Sequence, residues 1–257
     1  MVADIGFPPS VMQPFVQAVL GLIVGSFLAL VSVRLPSSEP IAASRSICRS
    51  CRRQLSPLEL VPLLSWCMQR GRCRRCNAPI SPRYGLFEFG CAGLGVWSAF
   101  WTPGWVGLAG AFMAWQLVLI AVVDAEHFWL PRVLTLPLVA TGLATTAFIQ
   151  PTLLPDHLLG VAGGFASLWM VMWIYRKLRR RNGLGGGDPY LLAGIGAWVG
   201  WLPLPMVVVC ASGLGLLVVG FMWANGGVVT AQTRLPFGTL LAFGGWAMWL
   251  AGSHQGS

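Results

Sequence analysis

Basic side chains alternate with apolar stretches along this chain, and that alternation constrains the fold more than any other feature. Of 17 Lys and Arg, ten lie between residues 34 and 83, one is Arg132, five fall in 176–181 and the last is Arg234. Apolar stretches fill the intervals at about 15–33, 86–101, 104–123, 133–149, 158–175, 190–202, 205–223 and 236–250. A helix that crosses a bilayer needs about 20 mostly apolar residues. The second, sixth and last stretches are at or below that length, and a re-entrant or interfacial segment is the other way to read them. Counting all eight as spans places every basic residue on one face, as cytoplasmic retention of Lys and Arg requires. The opposite face keeps only Asp4 and Asp156 as charges. Removing one span scatters the basic clusters over both faces, whereas losing the sixth and seventh together preserves the parity.

Composition agrees. Apolar residues make up 56% and charged residues 10%, against about 25% charged in a soluble domain. A mean hydropathy of +0.70, with 13 Trp and 13 Phe, exceeds what one soluble core of this size hides. An ordinary cytosolic enzyme, a disordered chain and a disulfide-rich secreted module are thereby excluded. No basic residue precedes Arg34, so the first stretch lacks the positive flank of a cleavable signal peptide and reads as a retained span. The expected fold is an all-α polytopic membrane protein of about eight helices with both termini outside. The basic run at 176–181 directly follows a span, which makes it an anchor at lipid headgroups rather than a nucleic-acid patch.

Four of the seven Cys form two CxxC pairs, Cys48/Cys51 and Cys73/Cys76. Paired thiolates on two turns close a tetrahedral shell around one ion, and this spacing reads as structural zinc. Redox-active thiols are the alternative. A cytoplasmic loop disfavours disulfides, and four thiolates leave no open coordination position for catalysis. Cys67, Cys91 and Cys210 read as small apolar residues.

Only eight acidic residues are present, and two stand at the ends of apolar stretches. Asp124 closes the third (AVVDAEHFWLP), and Asp188 follows a glycine-rich turn and opens the sixth (GLGGGDPYLLAG). A carboxylate at a membrane boundary is costly unless it faces a cavity or a partner. Both fall at cytoplasmic helix ends in this topology and can share one depth. Two carboxylates in one site do not both ionise cheaply, and such a pair can hydrolyse a peptide bond with one acid and one base. The plainer alternative pairs Asp124 with Arg132 and lets Asp188 cap its own helix. Glycines 185–187 are not a phosphate loop, since no Lys-Ser/Thr follows. His127 reads as an interfacial side chain. Glu88 is either a third functional acid or an ion-pair partner.

The motifs in order resemble the bacterial type IV prepilin peptidase family. GLIVGSFLALVSVRLP at 21–36 is similar to the family's opening motif. It is followed by the double CxxC loop, by GRCRRCNAPISPRYGLFE at 71–88, by LPRVLTLP at 130–137, by the GxGD motif at 185–188 and by LPFG at 235–238. The resemblance implies an intramembrane aspartic peptidase with Asp124 and Asp188 as its catalytic pair. It further implies cleavage of the short basic leader of pilins or pseudopilins after a Gly. Methylation of the new N-terminus by S-adenosylmethionine would follow, in the bacterial inner membrane. Arg83 and Glu88 are its candidates for handling the methyl donor. Three regions are expected: a first helix at 1–33, a cytoplasmic zinc-binding domain at 34–85 and a peptidase core at 86–257.

The chain departs from the family pattern in several places. Ala29 and Leu60 stand where Asn is usual. Arg132 stands where the family often has Asp, and Tyr190 where Lys is common. Arg181 and Asn182 replace a usual Glu. These departures bear on methyl transfer and substrate choice rather than on cleavage. Two rival classes remain: a proton-coupled carrier, which would place its acids near mid-bilayer, and an inactive scaffold carrying a zinc knob.

Overall fold

The computed structural model describes residues 12–41, 46–102, 104–179, 185–227, 230 and 234–253. Asp4, Arg180, Arg181, Asn182 and both termini lie outside them. The described residues form nine α-helices and two short 3-10 turns, with no strand beyond two isolated bridges. The helices are α1 (Met12–Arg34), α2 (Leu64–Met68), α3 (Arg83–Trp101), α4 (Gly104–His127), α5 (Arg132–Ile149), α6 (Leu154–Arg179), α7 (Asp188–Val199), α8 (Leu204–Ala224) and α9 (Phe237–Ser253). Apart from the five-residue α2, each coincides with one of the apolar stretches.

Five segments are long and apolar enough to cross a membrane, namely α1, α4, α5, α8 and the segment containing α6. α9 is apolar but shorter. α7 has 12 residues, about 18 Å at 1.5 Å per residue, against about 30 Å of bilayer hydrocarbon. The shortness expected of the sixth stretch is therefore real. Large apolar side chains point outward along many of the helices: Phe89, Phe100, Phe148 and Trp223 are all more than two-thirds exposed. Surface this apolar belongs in lipid rather than water.

The chain divides within α4, between Trp115 and Gln116, into two compact units. In the first, α1 lies against α3. Gly21 and Gly25, four residues apart, bring the α1 backbone against α3 at Ala92 and Glu88, the close approach that small residues permit in membranes. Gln13 ties the start of α1 to Gly104 through its side-chain oxygen and nitrogen, both at 2.9 Å. In the second unit α7 is the central element, touched by α5, α6, α8 and α9. Every α7 residue from Asp188 to Trp198 except Tyr190 is buried. Trp198 donates its indole N–H to the Leu138 carbonyl of α5 at 3.0 Å, satisfying the one polar atom of a side chain otherwise packed in the core.

Candidate active site and metal centre

Between α1 and α3, the two CxxC segments fold as one turn used twice. Cys48 N–H donates to Arg53 O, and Arg52 N–H to Cys48 O, both at 2.8 Å. At the second pair, Cys73 N–H donates to Ala78 O at 2.9 Å and Asn77 N–H to Cys73 O at 3.0 Å. A bridge closes each turn from the residue before the first Cys to the third residue after the second, Ile47 to Gln54 and Arg72 to Pro79. Arg52 and Asn77, in equivalent places, both adopt positive φ, at 55° and 56°.

The repeated geometry aims four sulfurs at one point. All four Sγ atoms lie within 4.8 Å of one another, and Cys48 and Cys76 Sγ are 3.8 Å apart. No disulfide joins them. Backbone N–H groups of Cys76 and Arg75 pull the Cys73 thiol down to about 6. Those of Cys51 and Ser50 lower Cys48. The Ala78 N–H pulls Cys76 down, but burial and its neighbours Cys73, Cys51 and Cys48 outweigh it and carry that thiol up to about 11. Four such sulfurs can hold a metal ion, which removes the conflict between crowded thiolates.

A buried carboxylate stiffens the same knob. Glu59 Oε2 accepts the Ser56 N–H at 2.9 Å and the Ser56 hydroxyl at 3.1 Å, and its Oε1 pairs with Arg53. The Ser56 N–H, helped by the Arg53 guanidinium, holds the carboxyl below its ordinary value. Sequence reading passed over this pair although Ser-Pro-Leu-Glu is a capping box with Pro in the first turn, which is a legible signal.

Arg83 and Glu88 stand on the first turns of α3. Arg83 donates from Nε to the Ser32 hydroxyl at 3.1 Å and lies over the Phe87 ring. Glu88 is buried, and its Oε2 accepts the Leu63 N–H at 2.8 Å. That bond holds Leu63, whose φ of +56° is unusual for a branched side chain. Ala29, the first departure, is fully buried; Leu60 is exposed.

In the second unit, α4 and α7 deliver the two aspartates. Both are buried, Asp124 at 5% exposure and Asp188 at 4%. Asp188 begins α7 and its Oδ2 accepts the Gly185 N–H at 3.1 Å. Asp124 Oδ2 accepts the Thr239 N–H at 2.8 Å. Thr239 is the third residue of α9, so this N–H is one of the donors a helix start leaves without an internal partner. Each aspartate thus has an oxygen at the start of a helix, where the dipole favours negative charge.

Leu130 organises the surroundings. A side chain on Gly187 would collide with it, and so would one on Gly238. Gly187 precedes Asp188, and Gly238 lies under Asp124, where an added Cβ would be 2.9 Å from Oδ2. The glycines of both motifs are therefore needed for close approach to this leucine and to the carboxylate.

The pairing of Asp124 with Arg132 is not the arrangement found. The Arg132 guanidinium lies over the Tyr190 ring, 4.6 Å from its centre, and Tyr190 also meets Phe165 of α6 edge to face at 5.0 Å. Two departures from the family pattern thus touch each other: where Asp and Lys are usual, Arg and Tyr stack. Asp188 is the first residue of α7 and makes no capping bond to it; Gly187 occupies the cap position. His127 is half-exposed and 3.8 Å from Glu126. Thr239 carried no sequence signal, since a Thr three residues into a helix is ordinary.

The fold and site define a class: a helical membrane protein with an internal pair of buried aspartates and a four-cysteine knob. Comparison with known proteins then identifies the family. The model of the bacterial peptidase A24 N-terminal domain matches residues 19–102, and that of the type IV leader peptidase family matches 111–220. A prepilin leader peptidase/N-methyltransferase of Stutzerimonas stutzeri is 36% identical over 92% of this chain and 90% of its own. One of Aeromonas hydrophila is 37% identical over 90% and 88%. A type 4 prepilin-like protein leader peptide-processing enzyme of Escherichia coli is 37% identical over 91% and 92%. The chain belongs to the type IV leader peptidase family. No solved structure matches it.

Proposed function

We propose that this protein is a prepilin peptidase that also N-methylates its product, acting on type IV pilins or type II secretion pseudopilins. The observation that carries the reading is the pair Asp124 and Asp188: both buried, Asp124 held by the first turn of α9 and Asp188 opening α7, with the glycine beside each packed against the same Leu130. The names of relatives covering nine-tenths of the chain support it.

Hydrolysis needs one carboxylate and one carboxylic acid. The carboxylate takes a proton from water as its oxygen attacks the scissile carbonyl carbon, while the acid protonates the carbonyl oxygen. When the intermediate collapses, the C–N bond breaks and a proton passes to the leaving amine. The pair exchanges roles between steps, so the titration belongs to the pair. Methyl transfer follows on the freed amine. Its lone pair takes the methyl carbon of S-adenosylmethionine, the C–S bonding electrons return to sulfur, and a proton is released. Arg83 and Glu88, at the start of α3, are the candidate residues for that cosubstrate.

Zinc is the metal we assign to Cys48, Cys51, Cys73 and Cys76. A tetrahedron with Zn–S of about 2.3 Å has sulfur–sulfur edges of about 3.8 Å, in accord with the Cys48–Cys76 separation of 3.8 Å. Four thiolates give the ion a structural role, fixing the cytoplasmic domain at 34–85. Eight helical segments in the inner membrane, the 12-residue α7 among them shorter than the hydrocarbon, with basic loops in the cytoplasm and both termini outside, follow from the Lys and Arg distribution. Cleavage then occurs at the cytoplasmic face, where a basic leader is retained.

The test is cleavage of a basic-leader prepilin by purified protein in detergent, with labelled S-adenosylmethionine, beside Asp124→Asn and Asp188→Asn. Loss of cutting in both folded variants and label on the wild-type product support the reading. Cutting by either variant at the wild-type rate overturns the dyad. An unlabelled product confines the protein to proteolysis.

A further inference from the structure

We infer that the first turn of α9 is the positioning device for Asp124, with Gly238 and Thr239 as positioning residues of the peptidase reaction. The inference rests on the reading of Asp124 as catalytic, and it goes further by assigning how that side chain is aimed.

Three contacts converge. Thr239 N–H donates to Oδ2 of Asp124 at 2.8 Å. The Thr239 hydroxyl donates to the Ala121 carbonyl at 2.8 Å and lies 3.4 Å from the same Oδ2. A hydroxyl has one proton, and the shorter contact claims it. The N–H therefore fixes the carboxylate, while the hydroxyl ties α9 to the α4 backbone three residues before Asp124. Gly238 supplies the third element by absence: a Cβ there would stand 2.9 Å from Oδ2 and 3.0 Å from Cγ, and would strike Leu130.

The chemical consequence is a division of labour within one carboxylate. Oδ2 is occupied as an acceptor by a helix-start N–H, which leaves Oδ1 as the oxygen that exchanges protons with water or substrate. A side chain that must work in one orientation is held from behind by a turn that approaches no closer than a glycine allows. Misplacing a reacting group by about 1 Å costs on the order of 100-fold in rate, so this turn is worth as much to the reaction as an ordinary catalytic contact.

The experiment measures kcat and KM for prepilin cleavage by the full-length protein with Gly238→Ala, Thr239→Val and Thr239→Ser, beside Asp124→Asn and wild type. Retained thermal transitions serve as the fold control. We expect Gly238→Ala to lower kcat by about 100-fold with KM within about twofold. Thr239→Val should lower kcat by about tenfold and Thr239→Ser should restore it to within about twofold. Since Gly238→Ala also crowds Leu130, the double variant Gly238→Ala/Leu130→Ala separates the two contacts. Continued loss of kcat there supports the Asp124 contact, and full recovery assigns the effect to leucine packing and overturns the role of Gly238. If Asp124→Asn is dead while Gly238→Ala and Thr239→Val cut at the wild-type rate, the positioning role is wrong and the dyad stands. If Asp124→Asn cuts normally, the dyad reading itself fails and this inference with it.

Discussion

The cysteine knob and the aspartate pair bring their side chains together in opposite ways. In the knob, each pair of ligands lies within one tight turn, and the turn is repeated with the same hydrogen bonds and the same positive φ after the second Cys. Local geometry assembles most of the site, and only the meeting of two turns is long-range. The aspartates have no such local logic. Asp124 is held by a residue 115 positions away, and Asp188 is presented by a helix buried on nearly all sides. A metal site tolerates local construction because the ion itself draws its ligands together. A proton-transfer pair has no such glue, and rigid packing must supply its geometry.

The sharpest break of this comparison comes from replacing either aspartate. Asp124→Asn and Asp188→Asn should each lower cleavage by about 10²–10⁴-fold, while metal content by atomic emission stays at that of the wild type. Loss of metal in these variants would show that the two regions are not separable.

The reverse experiment is next in size. Cys73→Ser, or a strong chelator, should release the bound ion and open the loop between α1 and α3 to trypsin, because a four-thiolate site supplies the folding energy of so small a domain. Cleavage should fall by no more than about tenfold, since local unfolding need not spread to the aspartates. Methyl transfer should be lost.

A smaller effect is expected at the stack that joins the starts of α5 and α7. Tyr190→Leu removes the face on which Arg132 lies and should cost about 1 kcal/mol, read as a lower melting temperature; Tyr190→Phe should not. Arg132→Asp with Tyr190→Lys, the residue types usual in the family, should recover stability lost by either single change.

The smallest expected effect concerns pH at the knob. Glu59 is held below its ordinary value by the Ser56 N–H and by Arg53, so it contributes stability above the unfolded carboxylate value of about 4.3. That contribution is lost as pH falls through the lower folded value. The stability advantage of wild type over Glu59→Gln in denaturant titrations should be constant from pH 8 to about 5 and shrink below about 4.

Much of this architecture was legible. The apolar stretches at 15–33, 104–123 and 205–223 became α1, α4 and α8, since twenty apolar residues in a row have few alternatives to a helix in lipid. The CxxC spacing by itself points to the four-sulfur cluster, because ligand spacing is a local property. The GxGD and LPFG motifs marked Gly187 and Gly238, although the reason for each glycine is one leucine, Leu130, that neither motif contains.

Other features were not legible, and the cause is the same in each case. The alternative that paired Asp124 with Arg132 relied on closeness in sequence, whereas Arg132 found an aromatic face on α7. Thr239 had no distinguishing context, because a donor at a helix start is ordinary until a carboxylate from another helix arrives. Sequence by itself determined the apolar segments and the four cysteines that come together, both set by composition and short-range spacing. Tertiary structure alone decided that the short sixth segment, α7, is the central helix of its unit and which backbone donors meet the aspartates. Those outcomes depend on packing between segments far apart in the chain, where close approach and hydrogen-bond geometry, rather than hydrophobic pattern, choose the partner.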